Sequence, residues 1–219
     1  MIDFTRWIRA SAVLVALSWS LASVAHAGET ADAPAAPPAN VVDELHVTLL
    51  AVMRDAEELG YQGRCDRLSP VLRNLYDIPF MAEKSMGRHW KNTSEEERKH
   101  LLETFTAFMI ANYAGNFDGH SGQTFETLGE EGSTHGTVLV RSRLLEPDGE
   151  ATQLNYRLRP VDGEWKIIDV YLNGTVSELA LRRSEYSSLI KREGFDSLLV
   201  ALNEKITNLS GSNPANQDH

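Results

Sequence analysis

Hydrophobic and polar positions change their period along this chain, and the change divides it. From Gly136 to Leu172 the period is two. Leu154, Tyr156 and Leu158 share one parity and Asn155, Arg157 and Arg159 the other; Val138, Val140 and Ser142 stand against Leu139, Arg141 and Arg143. Successive strand residues point to opposite faces, so this alternation predicts a sheet with one apolar face and one wet, basic face. Pro147-Asp148-Gly149 and Asp162-Gly163 cut the stretch into three strands, because Asp-Gly supplies the left-handed backbone that tight hairpins need. The third strand, Trp165 to Leu172, is apolar at both parities: Trp165, Ile167 and Tyr171 against Ile168, Val170 and Leu172. That predicts burial on both sides or a central place. A preceding β-prone run, Thr124 to Leu128, completes a four-stranded antiparallel sheet.

Around this sheet the apolar positions recur at helical spacing. Val42, Leu45, Leu49, Val52, Met53 and Ala56 predict a helix over Val41–Leu59, with Asn40 as N-cap and Gly60 as its stop. A short helix follows over Asp66–Tyr76, packing Leu68, Val71, Leu72 and Leu75. Asp77 caps another, with Pro79 in its first turn and an end near Gly87. Thr93 with Glu96, or Ser94 with Glu97, forms a capping box for a long helix ending near Gly115. Leu101, Leu102, Phe105, Phe108, Met109, Ala111 and Tyr113 make it the most apolar helix of the chain. Val176–Lys191 and Phe195–Leu209 are the last two. Helices and strands segregated in this order predict an α+β fold, with about six helices laid over one face of the sheet.

The 219 residues suffice for a single domain, placed at 41–209. Before it, Arg6 and Arg9 precede a short apolar run and Ala25-His26-Ala27, which reads as an export signal cleaved after Ala27. Gly28–Asn40 is an Ala/Pro-rich leader and Ser210–His219 a polar tail. No later segment is long and apolar enough to span a bilayer, so a soluble exported protein is expected. The formal charge is −10, and removal of Met1–Ala27 leaves about −11. Such acidity argues against nucleic acid and against attraction to anionic headgroups. The lone Cys65 forms no internal disulfide and reads either as a small buried hydrophobe or as an intermolecular or reactive thiol.

The chemistry-bearing patterns are few. The histidines lack metal-ligand spacing, and no nucleophile elbow or phosphate-binding glycine loop is present, so no cofactor or metal is expected. Asp169 stands out inside an apolar strand. It reads as a general base with a raised pKa, or as a structural acceptor paired with an arginine or backbone N–H groups. Arg182 and Arg183 after Glu178 read as a solvated helix face. A curved sheet under helices can enclose a cavity. Phe105, Phe108, Met109, Tyr113, Val138, Val140, Leu154, Tyr156, Leu158, Ile168, Val170 and Leu172 would line it. Three readings stand at this point. One is a carrier of an oily ligand. Another is a cone-shaped enzyme of the nuclear-transport-factor-like type, an isomerase or dehydratase using Asp169, Tyr156 or His135. The third is an interaction module with a filled core.

One family carries these features together. Phe80-Met81-Ala82-Glu83-Lys84-Ser85-Met86-Gly87-Arg88-His89-Trp90 resembles the L-G-R-x-W stretch of the MlaC / toluene-tolerance family of periplasmic lipid-binding proteins. Tyr156-Arg157-Leu158, the run Asp162–Val170 and Gly174-Thr175-Val176-Ser177 resemble its Y-R-L, G-x-W-K-V-x-D-V and G-V-S core. Arg183-Ser184-Glu185-Tyr186 and Gly194-Phe195-Asp196-Ser197-Leu198 resemble its end. The likeness runs from Val41 to Ile206. Gly174-Thr175-Val176-Ser177 departs from Gly-Val-Ser and is more similar to the hopanoid-associated HpnM branch. The resemblance implies a non-enzymatic, monomeric periplasmic carrier whose apolar cavity holds a phospholipid or hopanoid. It also implies two partners, an inner-membrane lipid transporter and an outer-membrane complex.

Overall fold

The computed structural model describes residues 36–211; the export signal, most of the leader and residues 212–219 of the tail lie outside the described residues. Helix α1 (Pro38–Arg54) opens ahead of the expected start, and it takes in the last residues assigned to the leader. Proline suits a first turn because its missing N–H would have no helical partner. The Asn40 side chain makes no cap; the Asn40 N–H donates instead to the Pro37 carbonyl at 3.1 Å. Helix α2 (Ala56–Leu75) follows directly after Asp55, so the pattern expected to end at Leu59 is split in two. Gly60 still breaks the helix, inside α2, at φ 58 and ψ −176. A Cβ there would meet nothing within 4 Å, so glycine is required by the dihedral and not by space.

Helix α3 (Ile78–Met86) is capped as expected: the Asp77 carboxylate accepts from the Phe80 N–H at 3.1 Å and from the Arg159 guanidinium at 2.7 Å. A 3-10 turn (Gly87–Asn92) leads to α4 (Glu95–Asn116). Of the two capping boxes, the Ser94–Glu97 one forms. The Glu97 N–H donates to Ser94 Oγ at 3.2 Å, and the Ser94 N–H to the Glu97 carboxylate at 2.6 Å. Those bonds hold the Glu97 carboxyl below its ordinary range.

The sheet is an antiparallel meander of β1 (Thr124–Gly132), β2 (Val138–Leu145), β3 (Ala151–Val161), β4 (Glu164–Leu172) and β5 (Val176–Ser177), paired in that order. It has one strand more than the alternation predicts. Val176 and Ser177 pair with Leu172 and Tyr171 before the chain turns into α5 (Glu178–Glu193), where Ser177 Oγ accepts from the Ala180 N–H at 2.9 Å. Helix α6 (Phe195–Gly211) takes in Ser210 and Gly211 beyond the expected end. Asp162 and Gly163 both adopt left-handed backbone, at φ 50 and 80. The Pro147-Asp148-Gly149 turn is looser. Only Gly149 is left-handed, and the Asp148 carboxylate accepts from the Glu150 N–H at 3.0 Å.

A bulge explains the strand that is apolar at both parities. Arg157 lies opposite Asp169, but Leu158 lies opposite Ile167, so Ile168 is an extra residue. On one side of the bulge Leu172 and Val170 pair with Leu154 and Tyr156; on the other, Ile167 and Trp165 pair with Leu158 and Pro160. The inward-facing set changes parity midway. A second register shift falls between Thr127 and Gly129 in β1, with Gly129 at φ 136.

One apolar core joins the inner sheet face to the helices. It takes Val42, Leu45, Leu49 and Val52 from α1, Leu68 and Leu72 from α2, Met86 from α3, Leu101 and Phe105 from α4, and Leu198 and Leu202 from α6. The helical spacing read in α1, α4 and α6 is the spacing of this core. Helix α4 packs against α2, α3 and α6, which is why its apolar residues spread around it instead of forming a narrow stripe.

Candidate functional site

The interior between sheet and helices is built from the residues expected to line it. Phe105, Val140 and Leu158 are fully buried, and Tyr156, Leu154, Met109 and Phe108 nearly so. Tyr113, Val138, Val170 and Leu172 are partly buried against the same cluster. Ile168 is the exception. It is buried, but as the bulge residue it falls outside the cluster, and Ile167 takes the core position. Leu101, Leu144, Phe117 and Phe125, not among the expected lining, also belong to this interior.

Polar groups punctuate the oil. The Tyr76 and Tyr113 hydroxyls share a hydrogen bond, and the Tyr156 hydroxyl pairs with His46 Nε2 at 3.2 Å. The His46 ring stacks on Phe125 at 4.1 Å, Phe125 lies 6.3 Å from Phe117, and Phe117 stacks on Tyr113 at 5.7 Å. An aromatic belt therefore links α1, α4 and β1, with Tyr76 and Tyr156 joined to its ends. Burial raises Tyr113 to about 12 and lifts Tyr76 and Tyr156 well above the ordinary phenol range. Burial lowers His46 to about 4, with nearby Asp43 opposing, so its ring is neutral at pH 7.

Asp169 is a fastener of the fold. Its carboxylate accepts from the Val170 N–H at 2.9 Å, the Leu179 N–H at 3.0 Å and the Ser177 hydroxyl at 2.6 Å. It ties β4 to the first turn of α5. Of the two sequence readings, this geometry is that of the structural acceptor. The outer sheet face is also less wet than its alternation suggests: Asn155 and Asp169 are buried, and the Arg157 guanidinium lies over the Tyr171 ring at 5.3 Å. Asp169→Asn is expected to lower the unfolding free energy by about 1–3 kcal/mol in urea titrations, because an amide N–H₂ then confronts donors. His135, the other acid/base candidate, is exposed in a turn at φ 59.

Two arginines reverse their sequence reading or escaped it. Arg182 is not on a solvated face. Its side chain is 13% exposed, and its guanidinium lies over Phe108 at 4.8 Å and Phe105 at 6.0 Å. The expected i,i+4 partner is present, with Glu178 at 3.5 Å. Arg64, in the polar run Gly63-Arg64-Cys65-Asp66-Arg67, is 2% exposed and bonds two backbone carbonyls. Neighbouring Cys65 is half-buried against the core, and burial raises its thiol above the ordinary range.

Two surface depressions lie on the last two helices. One of about 340 Å³ runs between α5 and α6, lined by Glu185, Tyr186, Leu189, Leu198, Leu202 and Lys205 among others. A second, more open one follows α6 at Val200, Asn203, Glu204 and Thr207.

This architecture has relatives. The MlaC protein family model matches residues 43–204. The intermembrane phospholipid transport system binding protein MlaC of Haemophilus influenzae is 25% identical over 145 residues, 63% of this chain and 67% of that one. The solved phospholipid-binding protein of Ralstonia solanacearum, in complex with a phospholipid, has the same fold. It superposes with a TM-score of 0.70 at 22% identity, over 80% of this chain and 99% of that one. With the family match spanning α1 to α6 and every strand between, the chain belongs to the MlaC family.

Proposed function

We propose that this chain is an exported, periplasmic phospholipid carrier and not an enzyme. It would take acyl chains between the inner sheet face and α4, and exchange them with an inner-membrane transporter and an outer-membrane complex. The observation that carries this reading is the single apolar core shared by Phe105, Phe108 and Met109 with Val140, Leu154, Tyr156 and Leu158, in a family whose named relatives bind phospholipid. Each CH₂ kept out of water by such a core is worth about 0.8 kcal/mol, so acyl chains need this cover to cross an aqueous compartment. Against the enzyme reading, Asp169, one of its three acid/base candidates, spends its oxygens on Val170, Ser177 and Leu179. A pentacyclic hopanoid is the second cargo, favoured by the Gly174-Thr175-Val176-Ser177 variant.

Native mass spectrometry of the exported protein, followed by lipid extraction, tests the proposal. A phospholipid near one per chain is expected; a hopanoid would select the second cargo. A protein that remains lipid-free after incubation with liposomes would overturn the carrier reading. Leu154→Asp places a carboxylate in the core and is expected to abolish lipid retention. A folded Leu154→Asp protein with a normal lipid load would move the binding site elsewhere.

A further inference from the structure

The outer face of the sheet carries two arginines without a carboxylate partner. Arg141 of β2 is exposed and makes no hydrogen bond or ion pair among the described residues. Arg157 of β3 lays its guanidinium over the Tyr171 ring at 5.3 Å, and its Nε is buried with no hydrogen-bond partner. Asp169 stands opposite Arg157 in the ladder, but its oxygens go to Val170, Ser177 and Leu179. The register brings the two arginines to one place. Leu139 pairs with Arg157, and Arg141 lies two residues further along β2 on the same face. Such diagonal neighbours stand about 7–8 Å apart, within reach of each other for long side chains. On the far side of Arg141 its partner in β1 is Gly129, where even a Cβ would meet nothing within 4 Å. The neighbouring cations are engaged and bound the patch: Arg143 is held by Glu126 at 2.6 Å, and Arg159 by Asp77. The turn after β4 covers the next stretch of the face. There the Asn173 N–H donates to the Gln153 carbonyl at 2.9 Å, and a Cβ on Gly174 would clash with Gln153 Oε1. What stays open is Leu139, Arg141, Arg157 and Tyr171.

We infer that this opening docks an acidic segment of a protein partner, whose carboxylates pair with Arg141 and Arg157 while its chain lies against Leu139 and Tyr171. The inference rests on the carrier reading, for which it supplies a face that meets another protein. Each guanidinium offers a planar fork of N–H donors that a carboxylate meets with two parallel bonds. The buried Arg157 Nε gains most, because the fold gives it no acceptor. Arginine and tyrosine are also the residues that protein interfaces favour at their centres. The formal charge of the chain is −10, so an acidic partner is repelled in general and drawn to this spot in particular. An anionic membrane surface fits less well. On the same face Glu131 pairs with Leu139 and Glu126 with Arg143, and both carboxylates are exposed. A broad anionic sheet would meet them together with the arginines, whereas a narrow segment crossing β2 and β3 passes them by.

The test titrates the full exported chain with a hexaglutamate peptide and follows the arginine Nε–Hε resonances. Those of Arg141 and Arg157 are expected to move together and saturate, and to stay in place at about 0.5 M salt, where charges are strongly screened. Arg141→Gln, at an exposed side chain, is expected to weaken binding about threefold, and Arg141→Gln with Arg157→Gln about tenfold or more. Arg157→Lys is expected to keep part of the affinity, since it retains the charge and loses the fork. Arg54→Gln, the same change of charge at an exposed residue of α1, is expected to leave binding unchanged. Shifts spread evenly over the arginines, no saturable binding, or wild-type affinity in folded Arg141→Gln and double variants would overturn the docking site. Flotation of wild type, and not of the double variant, with phosphatidylglycerol vesicles would assign the patch to a membrane and overturn the protein partner. Both variants are expected to keep the wild-type lipid load in native mass spectrometry. A wild type that takes up no lipid would overturn the carrier reading, and the peptide titration is scored apart from it.

Discussion

Arg64→Ala is expected to destabilise the fold by roughly 3–5 kcal/mol, the largest loss from any single polar side chain here. The Arg64 side chain is buried in the helical layer and has no carboxylate partner among its described bonds. Its Nε donates to the Ala114 carbonyl at 2.9 Å and its Nη1 to the Ala56 carbonyl at 3.1 Å. Ala114 sits in the last turn of α4, where carbonyls lack helical partners and the helix dipole is negative, so a cation is favoured there. Ala56 begins α2, four residues before the break at Gly60. One guanidinium therefore seals the end of one helix and the flawed start of another. Truncation opens a void and leaves two carbonyls buried without it. Arg64→Met refills the volume and is expected to recover only part of the loss, because the carbonyls stay unanswered. Urea unfolding of the three proteins separates the two contributions. A loss below about 1 kcal/mol for Arg64→Ala would mean that water takes over both carbonyls.

Acidification should weaken the fold in a window set by His46. Its folded pKa is about 4 and its ordinary value is 6.5. The unfolded chain therefore takes up the proton first. The stabilising difference is whole above pH 6.5 and is lost as the pH falls from 6.5 through 4. At 1.36 kcal/mol per pKa unit, the loss is about 2 kcal/mol by pH 5 and roughly 3 when complete. His46→Gln keeps a polar group near the Tyr156 hydroxyl and cannot titrate, so its stability should flatten across this window relative to wild type. Glu178 pulls the opposite way: its carboxyl is raised in the folded state, so it favours folding as the pH falls. The difference between wild type and His46→Gln isolates the histidine, and parallel curves for the two would refute its role.

Much of this was legible in the residues. The spacing of Val42, Leu45, Leu49 and Val52 is the buried side of α1, and the parity of Leu154, Tyr156 and Leu158 is the inner face of β3. Asp77, Ser94 and Gly163 mark their cap and turn positions correctly because each acts through its own neighbours in sequence. What escaped depends on distant partners. Nothing near Ile168 announces a bulge, since Ile167, Ile168 and Val170 are equally apolar and only pairing with β3 decides which turns inward. Arg64 lies in a polar run, and its carbonyl partners come from other helices or other turns. Arg182 was placed on the surface by its charge, yet its stem and guanidinium can lie across aromatic rings contributed by α4. His46 did leave a signal: it falls beside Leu45 and three residues before Leu49, on the buried stripe of α1.

A meander leaves two open margins. At one, β5 is only two residues long and passes at once into α5. At the other, β1 presents nine residues with no strand beyond it among the described residues. Along that margin Glu126, Glu130 and Glu131 are exposed, and the ladder is interrupted between Thr127 and Gly129. A second molecule laying its own β1 alongside would bring carboxylates against carboxylates and meet a bend where continuous pairing is needed. An irregular, acidic rim of this kind disfavours growth of fibrils by stacked copies, because it offers no flat template along which a further strand could pair.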